Sequence, residues 1–272
     1  MSRMSLIAPH WFERYVALGD SSTEGLDDPD GRGGFRGWSS RLAERIARTQ
    51  GRLLYANLAV RGRTTRQIRD EQLERAVAMR PDLVTLFSGT NDVFRIRFDP
   101  AALEADIGLM QRTLIAGGAT LLTFTLPDLT PILPVAQPLA SRIRELNRML
   151  LSVSRSTGAI VVDFAAHPWA TDRRLWSEDR FHANSKGHGL IAEALAHALR
   201  LPGSDDSWTR PLPAQAPLDA RARLAAELRW LQRTVAPWMR NGLGGRAKMR
   251  HPRGRRPELA PVEIDPDPRR NR

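Results

Sequence analysis

The chain has 272 residues and no cysteine, which suits one domain with a tail or two small ones and excludes disulfides, thiolate metal sites and cysteine nucleophiles. Hydrophobic residues make up 42% and charged residues 26%, near the average for globular domains, so wholesale disorder is excluded. The net charge is +11, and most of it falls after Pro202, where 15 basic residues face 8 acidic ones.

No stretch reaches the ~20 apolar residues of a membrane span. The N-terminal run Leu6-Ile7-Ala8 is shorter than the ~7–15 residues of a secretory signal core, so an unexported, cytoplasmic protein is expected. In chain order, Tyr15 to Leu18 reads as a buried strand ending at Gly19-Asp20. Gly37 to Gln50 reads as a helix, with Trp38, Leu42 and Ile46 at four-residue spacing. Leu53 to Leu58 is strand two, and Thr64 to Met79 is a helix stopped by Pro81. Leu83 to Phe87 is strand three. Pro100 to Ala116 is helical, with Leu103, Ile107, Met110 and Leu114 on one face. Ala119 to Leu126 is strand four, followed by a proline-rich loop from Pro127 to Pro138. Leu139 to Ser156 is a helix, Ile160 to Val162 is strand five, and Lys186 to Leu201 is the last helix of the series. Five β-α units predict an α/β fold with a five-stranded parallel sheet covered by helices on both faces.

Composition changes after Pro202, so a catalytic domain is expected over 1–202 and a linker over 203–218. An amphipathic helix over 219–240 starts at a capping Asp219 and carries a Leu224, Leu228, Leu231, Val235 stripe. A basic tail over 241–272 is expected to be disordered. The stripe is expected to dock on the domain. The alternatives are an anionic membrane, with Trp230 and Trp238 at the interface, or a polyanion bound by the arginines. No specific protein partner is indicated.

In an open parallel sheet, ligands sit beyond the carboxyl ends of the strands. Four segments fall there: Gly19-Asp20-Ser21 after strand one, Gly62 after strand two, Gly89-Thr90-Asn91-Asp92 after strand three, and Asp179-Arg180-Phe181-His182 after strand five. Each alone is weak, since a serine in such a turn is usually a helix cap. Together they supply what serine-dependent ester hydrolysis requires. Ser21 is the candidate nucleophile and His182 the base. Asp179, one helical turn before His182, is placed to orient the imidazole. Gly62 offers a backbone N–H that a substrate oxygen can approach closely, and Asn91 offers a side-chain amide.

These blocks resemble those of the SGNH hydrolases, the GDSL lipase/esterase family, over about residues 14 to 200. The resemblance implies a three-layer α/β/α flavodoxin-like fold and ester hydrolysis through an acyl-enzyme without a metal or other cofactor. It also implies an oxyanion hole formed by the Ser21 and Gly62 N–H groups and the Asn91 amide. A small or lipid-like ester is the expected substrate. Ser22 replaces the family's leucine, at a position without a catalytic role. A non-catalytic scaffold carried to a membrane or nucleic acid by the tail is the alternative function.

Other motifs fail. Thr23 breaks a Gly-x-Ser-x-Gly elbow, Arg36 breaks a dinucleotide loop, and Asp27, Asp28 and Asp30 do not complete a calcium loop. His182 and His188 lack zinc spacing, and His188 reads as a helix-surface residue. Asp163 and Asp172 are rivals to Asp179. Trp169 and Trp176 either brace the loop of the base or wall an acyl pocket.

Overall fold

The computed structural model describes residues 11–215, 219–236 and 254–264. Strands β1 (Arg14–Leu18), β2 (Leu54–Asn57), β3 (Leu83–Leu86), β4 (Thr120–Phe124) and β5 (Ile160–Val162) form a parallel sheet in the order β5-β4-β3-β1-β2. Alternating residues of β1 face opposite layers, as the strand period of two requires. Tyr15 and Ala17 meet Trp38, Leu42 and Ile46 of α2 (Gly37–Gln50) and Leu195 of the helix Ser185–Ala198. Val16 and Leu18 meet Ile68, Met110 and Leu114 on the other side.

Between β2 and β3 the single expected helix is divided. It begins as α3 (Thr65–Ile68), passes through a π turn at Arg69–Leu73 and ends as α4 (Glu74–Ala78). The short helix α5 (Thr90–Val93) follows β3, and α6 (Pro100–Ala116) precedes β4, capped by the Asp99 carboxylate on the Ala102 N–H at 3.1 Å. Helix α7 (Ala140–Thr157) packs Ile143, Leu146 and Leu150 against Leu103 and Ile107 of α6. The helix Ser185–Ala198, here α8, opens on Asn184, whose side chain accepts from the Lys186 and Gly187 N–H groups. No helix among the described residues is long and apolar enough to cross a membrane.

The sheet has six strands rather than the expected five. Strand β6 (Arg256–Pro261) pairs antiparallel with β2, aligning Leu54 with Pro261 and Tyr55 with Ala260. This corrects the expectation of disorder for that part of the tail; residues 241–253 and 265–272 lie outside the described residues. Without β6, β2 would present an edge of open N–H and C=O groups. Pro257 and Pro261 discourage a strand reading of the sequence, yet an outermost strand tolerates proline.

The segment expected to be a linker is also attached. A 3₁₀ turn at Asp206–Thr209 sets Trp208 edge-on to Phe164 and His167, with ring centroids 5.7 and 5.0 Å apart. Helix α9 (Ala220–Trp230) continues as a π turn at Leu231–Val235, and Asp219 caps it through the Ala222 N–H at 2.8 Å. Its docking face is not the expected stripe. Leu224, Leu228 and Leu231 are exposed, whereas Trp230 and Thr234 are buried. The larger apolar surface of Trp230, packed with Leu129, Leu133 and Ala136, decides which face turns inward. Residues 237–240 of the expected helix lie outside the described residues.

Candidate active site

The turn that carries Ser21 is held by sterics and by one buried amide. A Cβ on Gly19 would stand 2.2 Å from Thr23 Oγ1 and 2.8 Å from the Phe87 carbonyl oxygen, so only glycine fits. The Gln72 side chain accepts from the Gly19 N–H and donates to the Gly19 carbonyl, both at 2.9 Å. Gln72 reaches this place from the π turn, a feature common at functional sites. Asp20 then caps the four-residue helix α1 (Ser21–Glu24) by accepting from the Ser22 N–H at 3.0 Å.

Ser21 Oγ lies 2.9 Å from His182 Nε2, and His182 Nδ1 lies 2.7 Å from Asp179 Oδ2. An ionised carboxylate only accepts, so Nδ1 carries the proton. Nε2 of the neutral ring is then free to accept from the Ser21 hydroxyl. The other Asp179 oxygen accepts from Ser177 Oγ at 2.7 Å and from the Phe181 and His182 N–H groups at 3.0 Å. One oxygen shapes the loop and the other holds the ring. Burial raises the Asp179 pKa, but the hydrogen bonds and the charge of His182 outweigh it and hold the carboxyl far below its usual range. Burial lowers the His182 pKa, and the hydrogen bond and charge of Asp179, with Asp27 and Asp20 nearby, bring it out above the ordinary 6.5.

The spacing of Asp179 and His182 does not come from the expected helical turn. Arg180 takes φ = 61°, a left-handed conformation that breaks any helix there. Asp163 and Asp172 are engaged elsewhere, with Thr125 and Arg174.

The oxyanion candidates are in different states. The Ser21 and Gly62 N–H groups donate to none of the described residues. Gly62 has φ = 76° in its turn, where a side chain would be strained. The preceding Arg61 is locked to buried Glu24 by its backbone N–H at 3.0 Å and its guanidinium at 2.5 Å. Asn91 Nδ2, by contrast, already donates to Asp20 Oδ2 and to the Arg63 carbonyl, each at 3.0 Å. Both amide hydrogens are therefore committed in this state. Burial pushes the Asp20 pKa up to about 7, against the pull of the Ser22 N–H, His182 and the Asn91 amide. Asp92 is structural: its Oδ2 accepts from the Thr65 N–H and hydroxyl, joining the third block to the second.

His188 is not on the surface. It is 1% exposed, with Nδ1 accepting from the Trp38 N–H and Nε2 donating to the Leu26 carbonyl, both at 3.1 Å. Burial pulls its pKa down to about 4. The sequence reading gave no role to Gln72, Arg180 or Glu24. Gln72 carries no local signal, because its role depends on the π turn.

Beside Ser21 and His182 opens a cavity of about 70 Å³ walled by Phe87, Phe124, Leu126, Phe164, Trp169 and Trp176. This is several times the ~10–15 Å³ that admits one water. Both tryptophans line this cavity, and the Trp176 indole N–H also braces the loop on the Ala170 carbonyl at 2.8 Å. Pro127 and Leu129 of the proline-rich loop form the opposite rim.

Among solved structures, the chain resembles LAE5, an alpha/beta hydrolase enzyme from the metagenome of Lake Arreo, Spain (22% identity, TM-score 0.59, covering 71% of this chain and 97% of that one). It also resembles TesA (20% identity, TM-score 0.58, 69% and 98% covered). A third is Axe2, an acetylxylan esterase from Geobacillus stearothermophilus (18% identity, TM-score 0.58, 73% and 96% covered). At these identities the likeness is one of fold. The search of curated proteins gave no match. The profile of the GDSL-like Lipase/Acylhydrolase family matches residues 17–190, which contain the Ser21 turn, Gly62, Asn91 and the Asp179–His182 loop, and the chain belongs to that family.

Proposed function

We propose that the protein is a serine-dependent carboxylic ester hydrolase that works through an acyl-enzyme and prefers an apolar acyl group. The observation that carries this reading is the Ser21–His182–Asp179 relay opening onto an apolar cavity. Ser21 Oγ attacks the ester carbonyl carbon as its proton passes to His182 Nε2, and Asp179 stabilises the imidazolium that forms. The oxyanion meets the Ser21 and Gly62 N–H groups. Asn91 joins them by giving up its bond to Asp20 or to the Arg63 carbonyl. Collapse expels the alcohol, which takes the proton from His182. Water then attacks the acyl-enzyme with His182 again as base, releasing the acid and restoring Ser21.

Axe2 and LAE5, whose folds resemble this one, are named as an acetylxylan esterase and an alpha/beta hydrolase enzyme, which agrees with the reading. The aromatic and aliphatic cavity walls favour hydrocarbon over a sugar-like acyl group. A non-catalytic scaffold would not need the assembled relay. The test is turnover of p-nitrophenyl esters from acetyl to dodecanoyl by the full chain. The expected result is activity that peaks above acetyl and is abolished by Ser21→Ala with unchanged circular dichroism; retained turnover in that variant refutes the assignment.

A weak contact with anionic lipid completes the proposal. Leu224, Leu228 and Leu231 are exposed on α9 and its π turn, as are Arg221, Arg229 and Arg233, a pattern suited to an interfacial helix. Co-sedimentation with phosphatidylserine vesicles that weakens with salt supports it, and no co-sedimentation at low salt refutes it.

A further inference from the structure

Helix α9 lies outside the family match, yet it contacts the loop that carries Asp179 and His182 as well as the proline-rich loop. Arg180 lies between these two residues. Its side chain is only 8% exposed, and its guanidinium donates to both Glu227 carboxylate oxygens of α9, at 2.9 and 2.7 Å. The same guanidinium stacks over the Trp230 ring at 4.0 Å and donates to the Ile132 carbonyl at 3.1 Å. Residue 178 is held as well, by Arg233 of the π turn, 3.7 Å from Glu178. Asp179 is thus flanked by a residue paired with α9 and one facing the π turn that continues it, the second pair solvent-exposed on both sides.

The backbone gives these contacts a consequence. Arg180 sits at φ = 61°, a conformation that non-glycine residues hold only when their surroundings enforce it. That conformation directs the Phe181 and His182 N–H groups onto Asp179 Oδ1 and the imidazole onto Oδ2. A bidentate carboxylate and a tryptophan face are strong ways to fix one guanidinium. Trp230 also packs with Leu129 and Leu133 of the proline-rich loop, which bounds the acyl cavity through Leu129.

We propose that α9 is a clamp on the base-bearing loop, with Glu227 and Trp230 as positioning residues that act through Arg180 to hold the Asp179–His182 pair in register with Ser21. The proposal rests on the esterase reading above. The C-terminal extension is then part of the machinery that sets the turnover number.

The experiment measures kcat, KM and the pH–rate profile on p-nitrophenyl acetate, together with the downfield proton NMR signal of His182 Nδ1–H, in the full chain. Glu227→Gln, Trp230→Leu and their double variant test the clamp. Trp230→Phe, which keeps an aromatic face, tests rescue. The groups facing His182 are Asp179, Asp20, Asp27 and His188, and none is altered. The double variant is expected to lower kcat by about 10- to 100-fold, the scale of a small misplacement of reacting groups, with KM for the acetyl ester little changed. Its acid limb should move to lower pH and its Nδ1–H signal should broaden, and Trp230→Phe should recover most of kcat. An unchanged kcat, acid limb and NMR signal in the double variant overturns the clamp. A loss confined to KM for long-chain esters also overturns it, because Trp230 would then only support the pocket wall. Should Ser21→Ala keep the wild-type rate, the nucleophile assignment fails instead, and the NMR signal alone decides the clamp.

Discussion

Gln72→Leu is a sharp test of how the nucleophile turn is held. Leucine is close to glutamine in volume, so the substitution leaves no large cavity and its effect is mainly polar. It removes two hydrogen bonds, each 2.9 Å, to the N–H and C=O of Gly19. Gln72 is 1% exposed, so water has no ready access to either group. A buried backbone group left unpaired costs ~1–3 kcal/mol, so the two groups make the expected loss about 2–6 kcal/mol. At ~2–4 °C per kcal/mol for a domain of this size, the melting temperature should fall by about 4–24 °C. The turn that presents Ser21 should loosen with it, so kcat should drop more than KM rises. Thermal unfolding followed by circular dichroism, with ester turnover well below the transition, reads both. A melting temperature within about 2 °C of wild type would refute the claim that this amide holds the turn. A large thermal loss with normal kcat would show that it holds the fold but not the nucleophile.

Other expectations follow from the same geometry. The acid limb of kcat/KM should have its midpoint above 6.5, because Asp179 raises the His182 pKa and the base must be neutral. Asp179→Asn should move that limb to lower pH and cut kcat by up to ~10⁴, and an unmoved limb would remove Asp179 from the relay. His188 has a folded pKa of about 4 against an ordinary 6.5, so the stability it contributes is complete above pH 6.5 and is lost as pH falls toward 4. The loss is about 3 kcal/mol at ~1.4 kcal/mol per unit. Asp20, raised to about 7, acts in the opposite sense over pH 4–7, so the quantity to measure is the wild-type minus His188→Gln unfolding free energy against pH; a flat difference refutes the His188 assignment. Deleting residues 254–272 removes β6 and opens the β2 edge, so self-association should rise in size-exclusion chromatography. A truncated protein that stays monomeric and equally stable would show that β6 is dispensable.

Much of this protein was legible in one dimension because the signals are local. Periodicity and punctuation located β1 through β5 and the long helices to within a few residues, since apolar spacing and glycine or proline stops act over one or two turns. The candidate residues Ser21, Asp179 and His182 were legible as blocks on the carboxyl side of β1 and β5, where a parallel sheet collects its ligand groups, although Asp179 and His182 lie at the end of a long loop after β5. What remained hidden depended on partners far along the chain. Strand β6 exists because β2 offers an edge, and that edge is invisible in Arg256-Pro257-Glu258 alone. The inward face of α9 was set by Arg180 and the proline-rich loop rather than by its leucine spacing, and His188 was buried by the packing of α8 on α2. Asn91 lay in its expected block, but only the folded chain reveals that Asp20 and Arg63 hold its amide. Sequence by itself thus determined which elements form and which groups gather at the sheet's carboxyl edge. The tertiary structure decided which of them touch, because hydrogen bonds and desolvation depend on distances of a few ångströms between residues far apart in the chain.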